Sequence, residues 1–310
     1  MNKKILIIGV CDTDRSSNIF MKKGFEKLGY HVDEYNYRTV AQKLGSRQAM
    51  WKDFTNYITG KTWDLLIFSK VNSMHPDLLH YAKNSGKVVY WFMDGIAVAK
   101  AIDVYQYAKN ADIVSVTSEE VKTRLQNYFK INKFELNIHQ IIEGFDPDFH
   151  YRENLPEIYD VIFAGSATPQ RIKDIARLKE IVPSLQVWGN GWPKEFNAHP
   201  QLFKDDIRKV ICQSKIVLNL VHSNIFSDRI VISMACGAFV LSQYCHDLEN
   251  FFKMGEHLDW FKSWKGAKEK INFYLENVID RDIIAKFGNM YVRENFNWTE
   301  ICYQLLRKSL

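Results

Sequence analysis

Two arginines and one aspartate stand out because each lies just beyond a run of residues that a sheet would bury. The first arginine belongs to the stretch FSDRIVISMACGAFVLSQ, Phe226 to Gln243, where Ser227-Asp228-Arg229 opens a short apolar helix, Gly237 stops it and a buried strand follows. Ser227 or Asp228 can cap that helix, and Ile230, Val231, Met234 and Ala235 form its buried stripe. Arg229 falls off the stripe. At 3.6 residues per turn it shares a side with Ile232, Ser233 and Cys236, a side expected to look into a cleft. Either its guanidinium pairs with Asp228 or another surface carboxylate, or it is kept for an anionic ligand.

The second arginine follows YDVIFAGS (159–166), in Ser166-Ala-Thr168-Pro-Gln-Arg171. Ligands of open parallel sheets bind beyond the carboxyl ends of the strands, so this turn is a natural place for one. Gly165 allows close backbone approach, Ser166 and Thr168 can cap the next helix and donate to an oxyanion, and Pro169 suits a first turn. Arg171 would then reach the same anion. An ordinary capped helix reads the same way, so the turn alone leaves both possibilities open. The aspartate closes KVVYWFMD (87–94), with Gly95 clearing space beside it. A carboxylate of ordinary pKa is ionised at pH 7 and can accept a proton from a hydroxyl; the alternative for Asp94 is an N-cap for IAVAKAIDVY. Gly189 and Asn190, after LQVW, mark a further strand end, and Gly189 with Gly191 suggests close backbone approach to a ligand.

The elements that must position these groups alternate along the chain. Strand-like runs occur at 4–10, 31–37, 64–71, 87–94, 112–118 and 137–145, with helical patterns between them, which predicts a parallel sheet covered by helices. After the first strand, an amphipathic helix should bury Ile19, Phe20, Phe25 and Leu28. The rhythm pauses at DPDFHYRENLPEIY, so a linker is expected near 147–157, and it restarts at 159–166, 185–190, 215–221 and 238–243 before a helical tail. The plan is two α/β Rossmann-like domains, an N-terminal one over 1–150 and a C-terminal one over 157–290, with a last helix over 291–310. A chain of 310 residues is long enough for two cores.

Composition narrows the function classes. A hydrophobic fraction of 46% and a charged fraction of 25% describe a folded chain rather than a disordered one. The formal charge of +5 suits an anionic ligand such as a nucleotide but is far from the dense basic stripe of a dedicated nucleic-acid binder. No run of 18 apolar residues and no A-x-A cleavage pattern are present, so no transmembrane segment and a cytoplasmic protein are expected. The five cysteines have neither disulfide nor zinc spacing and are expected to be buried thiols.

The ordered set of a strand, a G-S turn and then N-x-F-S-x-R-x-x-x-x-M-A-C-G-A-F-V-L resembles nucleotide-sugar glycosyltransferases of the GT-B fold, and within them the CgeB-like, spore-maturation-type group. WFMDG (91–95), TSEEV (117–121), EGFDPDFH (143–150), DVIFAGS (160–166) and NWTE (297–300) carry the resemblance along most of the chain. A more distant similarity is to the phage DNA β-glucosyltransferase. The resemblance implies two Rossmann-like domains facing a central cleft, a C-terminal helix crossing back to the N-terminal domain, and a nucleotide-diphosphate sugar as substrate with no other cofactor and no metal. Ser166, Arg171 and Arg229 would hold the diphosphate, with Gly165, Thr168, Gly189, Asn190, Ser227 and Asn224 around the donor, Phe203 near the base, and Asp94 as base in an inverting transfer. Asp12 and Thr13 would line the acceptor side or form a solvated turn. Glu143 and Gly144 would mark the hinge or an ordinary turn.

The chain also departs from the pattern. Relatives often carry glutamates where this chain has Ile232 and Asn224, so the ribose must be held otherwise, by Ser233 or backbone, or belong to a dTDP-sugar. The acceptor is expected to be a glycan, a protein or a hydroxymethylated DNA base. A nucleotide-sugar epimerase and a non-catalytic sugar-nucleotide binder are the rival readings.

Overall fold

A computed structural model describes residues 3–12, 16–202, 205–221, 225 and 227–309. The chain forms two compact α/β units, one of residues 1–143 with 298–310 and one of residues 144–297. The first contains β1 (Lys4–Gly9), β2 (His31–Asn36), β3 (Leu65–Ser69), β4 (Lys87–Phe92), β5 (Ile113–Val116) and β6 (Asn137–Gln140), in the order β2-β1-β3-β4-β5-β6. The second contains β7 (Tyr159–Ala164), β8 (Leu185–Trp188), β9 (Ser214–Asn219), β10 (Phe239–Gln243) and β11 (Asp259–Phe261), in the order β11-β10-β9-β7-β8. All pairings are parallel. Each unit is a doubly wound, Rossmann-like α/β domain, as the alternation of strands and helices predicts. The uninterrupted apolar runs are explained by helices on both faces: β3 is buried at every residue, and β1 and β4 at every residue after the first lysine.

Strand order decides where each unit can hold a ligand. In the first sheet the winding reverses between β1 and β3, and in the second between β7 and β9. At such a reversal the connections leave toward opposite faces, and the carboxyl ends of the two strands bound a crevice. Residues 10–12, 16–18, 69–73 and 93–94 therefore gather at one crevice, and residues 165–171, 220–221 and 227–229 at the other.

The helix Ser17–Lys27 buries Asn18, Met21, Gly24 and Phe25; of the expected Ile19, Phe20, Phe25 and Leu28, Phe25 is buried and the other three are half-buried. The reason is its partner, the last helix, Trp298–Ser309. Gly24 lies so close to it that a Cβ would stand 2.6 Å from the Trp298 carbonyl and 2.8 Å from Cys302 Sγ. The Cys302 thiol donates to the Met21 carbonyl (3.3 Å), and Trp298 meets Trp91 edge to face at 6.0 Å. The last helix is thus part of the first unit.

The stretch 147–157, read from the sequence as a linker, is bound into the second unit. Arg208 reaches Glu153 (2.5 Å) and the Phe149 carbonyl (3.0 Å), while Arg281 holds Glu157 (2.8 Å). Strand β11 is an addition to the elements expected, since DWF has no apolar run to announce it. The five cysteines are free; Cys236, Cys245 and Cys302 are buried, and Cys11 and Cys212 are partly exposed. No helix among the described residues is long and apolar enough to cross a membrane.

Filling the space at Gly24 should unseat the last helix. Gly24→Val is expected to cost about 1–3 kcal/mol by overpacking, read as a lower urea midpoint; an unchanged midpoint would show that the helices do not meet this closely.

Candidate functional site: two guanidinium groups on one ring

The second unit brings Arg171 and Arg229 to a single aromatic side chain. Phe163, fully buried in β7, presents its ring to both guanidinium groups, with Arg171 Cζ 5.6 Å and Arg229 Cζ 5.8 Å from its centroid. Arg171 stands in the first turn of the helix Pro169–Ile181. Thr168 caps that helix by accepting from the Arg171 amide (3.2 Å), and Arg171 Nη1 donates to the Ser166 carbonyl (3.0 Å). Arg171 Nε is buried without a partner.

Arg229 opens the helix Arg229–Ala235. Its Nη1 donates weakly to Ser227 Oγ (3.4 Å), Ser227 Oγ donates to Asn219 Oδ1 (3.2 Å), and Asn219 Nδ2 donates to Ser242 Oγ (2.9 Å). A chain of polar groups at the ends of β9 and β10 thus sets the guanidinium. Gly165 leaves room for it, since a Cβ there would lie 3.3 Å from Arg229 Nη2. Ser227 is therefore a prop rather than a cap: no side chain caps this helix.

The electrostatics would suit an anion. Among the described residues, neither arginine forms an ion pair with a carboxylate. Burial, against the pull of Asp228 and with the added repulsion of Arg171, holds the Arg229 pKa down to about 10. Burial also lowers that of Arg171. Both stay charged at neutral pH, so the fold holds two partly desolvated positive charges near each other, an arrangement that an anion relieves.

Other expected donor residues are placed variously. Ser166 and Asn190 are exposed beyond β7 and β8, and Asn190 Nδ2 donates to Gln201 Oε1 (2.6 Å). Gly189 needs to be glycine for a reason other than a ligand. At φ 141° its missing Cβ would sit 2.2 Å from the Gly165 carbonyl oxygen, so it accommodates the neighbouring turn. Around it Gly165 N–H donates to the Trp188 carbonyl (2.8 Å), Ala167 N–H to that of Asn190 (2.9 Å), and Trp192 Nε1 to that of Gly165 (2.9 Å). The side of the helix shared by Ile232, Ser233 and Cys236 does not open into a cleft. Ser233 is fully buried with its hydroxyl unpartnered, Cys236 is buried, and Ile232 packs with Ile162, Ala164 and Trp188. Ser233 is thus out of reach of a ribose. Phe203, Asn224 and Thr13 lie outside the described residues.

In the first unit Asp94 follows β4 and lines a cavity of about 450 Å³ with Val10, Ser17, Asn18, Lys70 and Ser73. The capping alternative is not adopted: Gly95 is the N-cap of Ile96–Ala101, which has no side-chain cap. Among the described residues Asp94 makes no hydrogen bond or ion pair. Asp12 accepts from Thr39 (2.6 Å) and from Asn36, and pairs with Arg38 at 3.8 Å, so it is fixed in the β1 turn. Glu143 accepts from Ser17 Oγ (2.6 Å) and pairs with Lys70 at 3.7 Å, and the two units divide between it and Gly144. Phe163, Asn219, Ser17 and Lys70 were missed as site residues. Only their places at or beside strand ends could have marked them.

Residues 170–307 match a family model described as glycosyl transferase-like. No curated protein matches the chain. Solved structures match along its length. Sucrose-phosphate synthase from Thermosynechococcus elongatus has a TM-score of 0.70 at 14% identity, covering 99% of this chain and 98% of that one. Anabaena HepE in complex with UDP-glucose has a TM-score of 0.69 at 14% identity, covering 98% of each. An alpha-glucosyltransferase in complex with UDP and a 13-mer DNA containing an HMU base has a TM-score of 0.68 at 11% identity, covering 99% of each.

If the two guanidinium groups await an anion, inorganic pyrophosphate should raise the melting temperature of the wild type, by about 2.7 kcal/mol of stability at a hundredfold excess over Kd. Arg171→Met and Arg229→Met should each remove most of that gain, yet melt no lower than wild type without ligand, because an unpaired desolvated charge has been replaced by an apolar chain. Variants that respond to pyrophosphate as wild type does would contradict this reading.

Proposed function

We propose that the chain is a glycosyltransferase that moves a sugar from a nucleotide-diphosphate sugar to an acceptor hydroxyl. The observation that carries this reading is the pair of arginines, free of carboxylate partners among the described residues, on the Phe163 ring beside the reversal of the second sheet. The glycosyl transferase-like match over residues 170–307 covers both of them, and the order of motifs supports the finer placement among CgeB-like proteins.

The chemistry follows from what each unit supplies. The diphosphate lies against Arg171 and Arg229, whose charge-assisted hydrogen bonds strengthen as the sugar departs and negative charge gathers on the leaving oxygen. That differential is what lowers the barrier. Countercharge comes from these side chains rather than from a metal ion. In the first unit Asp94 accepts the acceptor proton as its oxygen attacks the anomeric carbon; the bond from that carbon to the diphosphate oxygen breaks, and its electron pair leaves with the diphosphate. Direct attack with one carboxylate inverts the anomeric centre. UDP-glucose is the first donor to test, since HepE was solved with it. A dTDP-sugar is the second, because Ile232 packs in an apolar cluster and the Ser233 hydroxyl is buried, so this helix offers no acceptor for a ribose hydroxyl.

With donor and acceptor supplied, Asp94→Asn should lower kcat by about 10²- to 10⁴-fold while leaving donor affinity unchanged. The wild-type rate should survive dialysis against EDTA. NMR of the product should show the anomeric configuration opposite to the donor's. A retained configuration would remove the single-step mechanism, and turnover of donor without any acceptor would favour an epimerase.

A further inference from the structure

The cavity beside Asp94 carries information about the acceptor. It lies at the carboxyl ends of β1, β3 and β4, where the amino end of the eleven-residue helix Ser17–Lys27 would ordinarily offer a seat for a phosphate. Here that end is already capped by Ser16, whose Oγ accepts from the Asn18 amide (3.3 Å), and a carboxylate stands beside it. The Glu143 carboxylate accepts from Ser17 Oγ at 2.6 Å, its side chain is only 13% exposed, and Lys70 stands 3.7 Å away. The other cation on the wall, Arg38, faces Asp12 at 3.8 Å. Among the described residues, both cations on the wall, Arg38 and Lys70, face carboxylates, and Asp94 adds a third carboxylate, a balance that does not favour an anion.

The remaining lining is suited to hydroxyl groups. The Asn72 and Ser73 side chains have no partner among the described residues, and Asp94 is an uncommitted acceptor. The Tyr37 hydroxyl donates to the Lys70 carbonyl (2.8 Å) and keeps a lone pair. Among the described residues such a wall offers donors and acceptors side by side without net positive charge, a pattern suited to a polyol rather than to a phosphodiester.

We propose that this cavity receives an uncharged, polyhydroxylated acceptor, a glycan, and that Glu143 excludes phosphate-bearing acceptors by occupying their place. An internal carboxylate that rejects the wrong ligand by repulsion is a means of specificity independent of contacts to the right one. The proposal rests on the glycosyltransferase reading for the word acceptor, but the exclusion of phosphate is a property of the first unit alone.

Two measurements on the full chain test it. The first titrates inorganic phosphate by calorimetry into the Arg171→Met/Arg229→Met variant, where the donor arginines are silent. No saturable binding is expected; adding Glu143→Gln should create a phosphate site, and further adding Lys70→Ala should abolish it. Saturable binding with Glu143 in place that is lost on Lys70→Ala, or no site gained in a folded Glu143→Gln or Glu143→Ala variant, overturns the proposal. The second offers wild type labelled UDP-glucose with equal hydroxyl concentrations of neutral disaccharides (maltose, cellobiose and lactose) and of a duplex oligonucleotide containing hydroxymethyluracil. Label should enter the neutral pool in at least about tenfold excess. Label in the DNA, or in neither pool while UDP-glucose is still hydrolysed, overturns it. Failure of the wild type to bind UDP, UDP-glucose, dTDP or dTDP-glucose sinks the transferase reading instead, and the phosphate titration still reports on Glu143.

Discussion

The constraint on which the account depends is the meeting of two like charges on one ring. Burying a guanidinium without a carboxylate is unfavourable, and placing a second one beside it more so. Among the described residues, the second unit nevertheless holds Arg171 and Arg229 against Phe163 with hydrogen bonds to neutral groups only: the Ser166 carbonyl for one, Ser227 Oγ for the other. A cation–π contact with the ring offsets part of that penalty. The rest is stored, and a bound dianion would recover it. Local instability of this kind is what a binding site requires and what a purely structural pair of arginines would avoid.

The backbone is arranged to bring this about. Arg171 arrives from the helix after β7 and Arg229 from the helix after β9, the neighbouring strands between which the winding reverses, so their starting points diverge along the chain and adjoin in space. Gly165 gives the Arg229 guanidinium its room, and Gly189 gives room to the turn that contains Gly165. The polar residues Asn219 and Ser242, deep at the ends of β9 and β10, would have no evident purpose in an apolar core except that Ser227, and through it Arg229, is hung from them. In the first unit the same topology gathers Asp94, Lys70, Ser17 and Glu143, but there the cation is matched. Among the described residues, one crevice keeps cations without carboxylate partners and the other pairs its cations with carboxylates.

Much of this was legible in the residues, and what was not has physical causes. Uninterrupted apolar runs such as LLIFS and VVYWF announce strands buried on both faces, so the paired sheets could be read directly. Arg171 and Arg229 could be singled out because each follows a strand end, and Asp94 because it ends one. Three things were hidden. DWF at β11 is too short to carry a period. The buried side of Ser17–Lys27 is chosen by Gly24, where the absence of a side chain admits the last helix, and periodicity counts only side chains that are present. Ser233 lies on the arginine's side of an ideal helical wheel, yet a seven-residue helix wedged between a sheet and the helix Val278–Asn295 has almost no outer side to offer. Long-range pairings such as Glu143 with Ser17 have no sequence signature at all.

The most direct test of the central claim is a crystal structure of the chain with UDP. Diphosphate oxygens should lie within about 3.2 Å of guanidinium nitrogens of both Arg171 and Arg229, above the Phe163 ring. A complex in which the diphosphate touches neither arginine, or in which the two guanidinium groups bind separate carboxylates instead, would contradict the account.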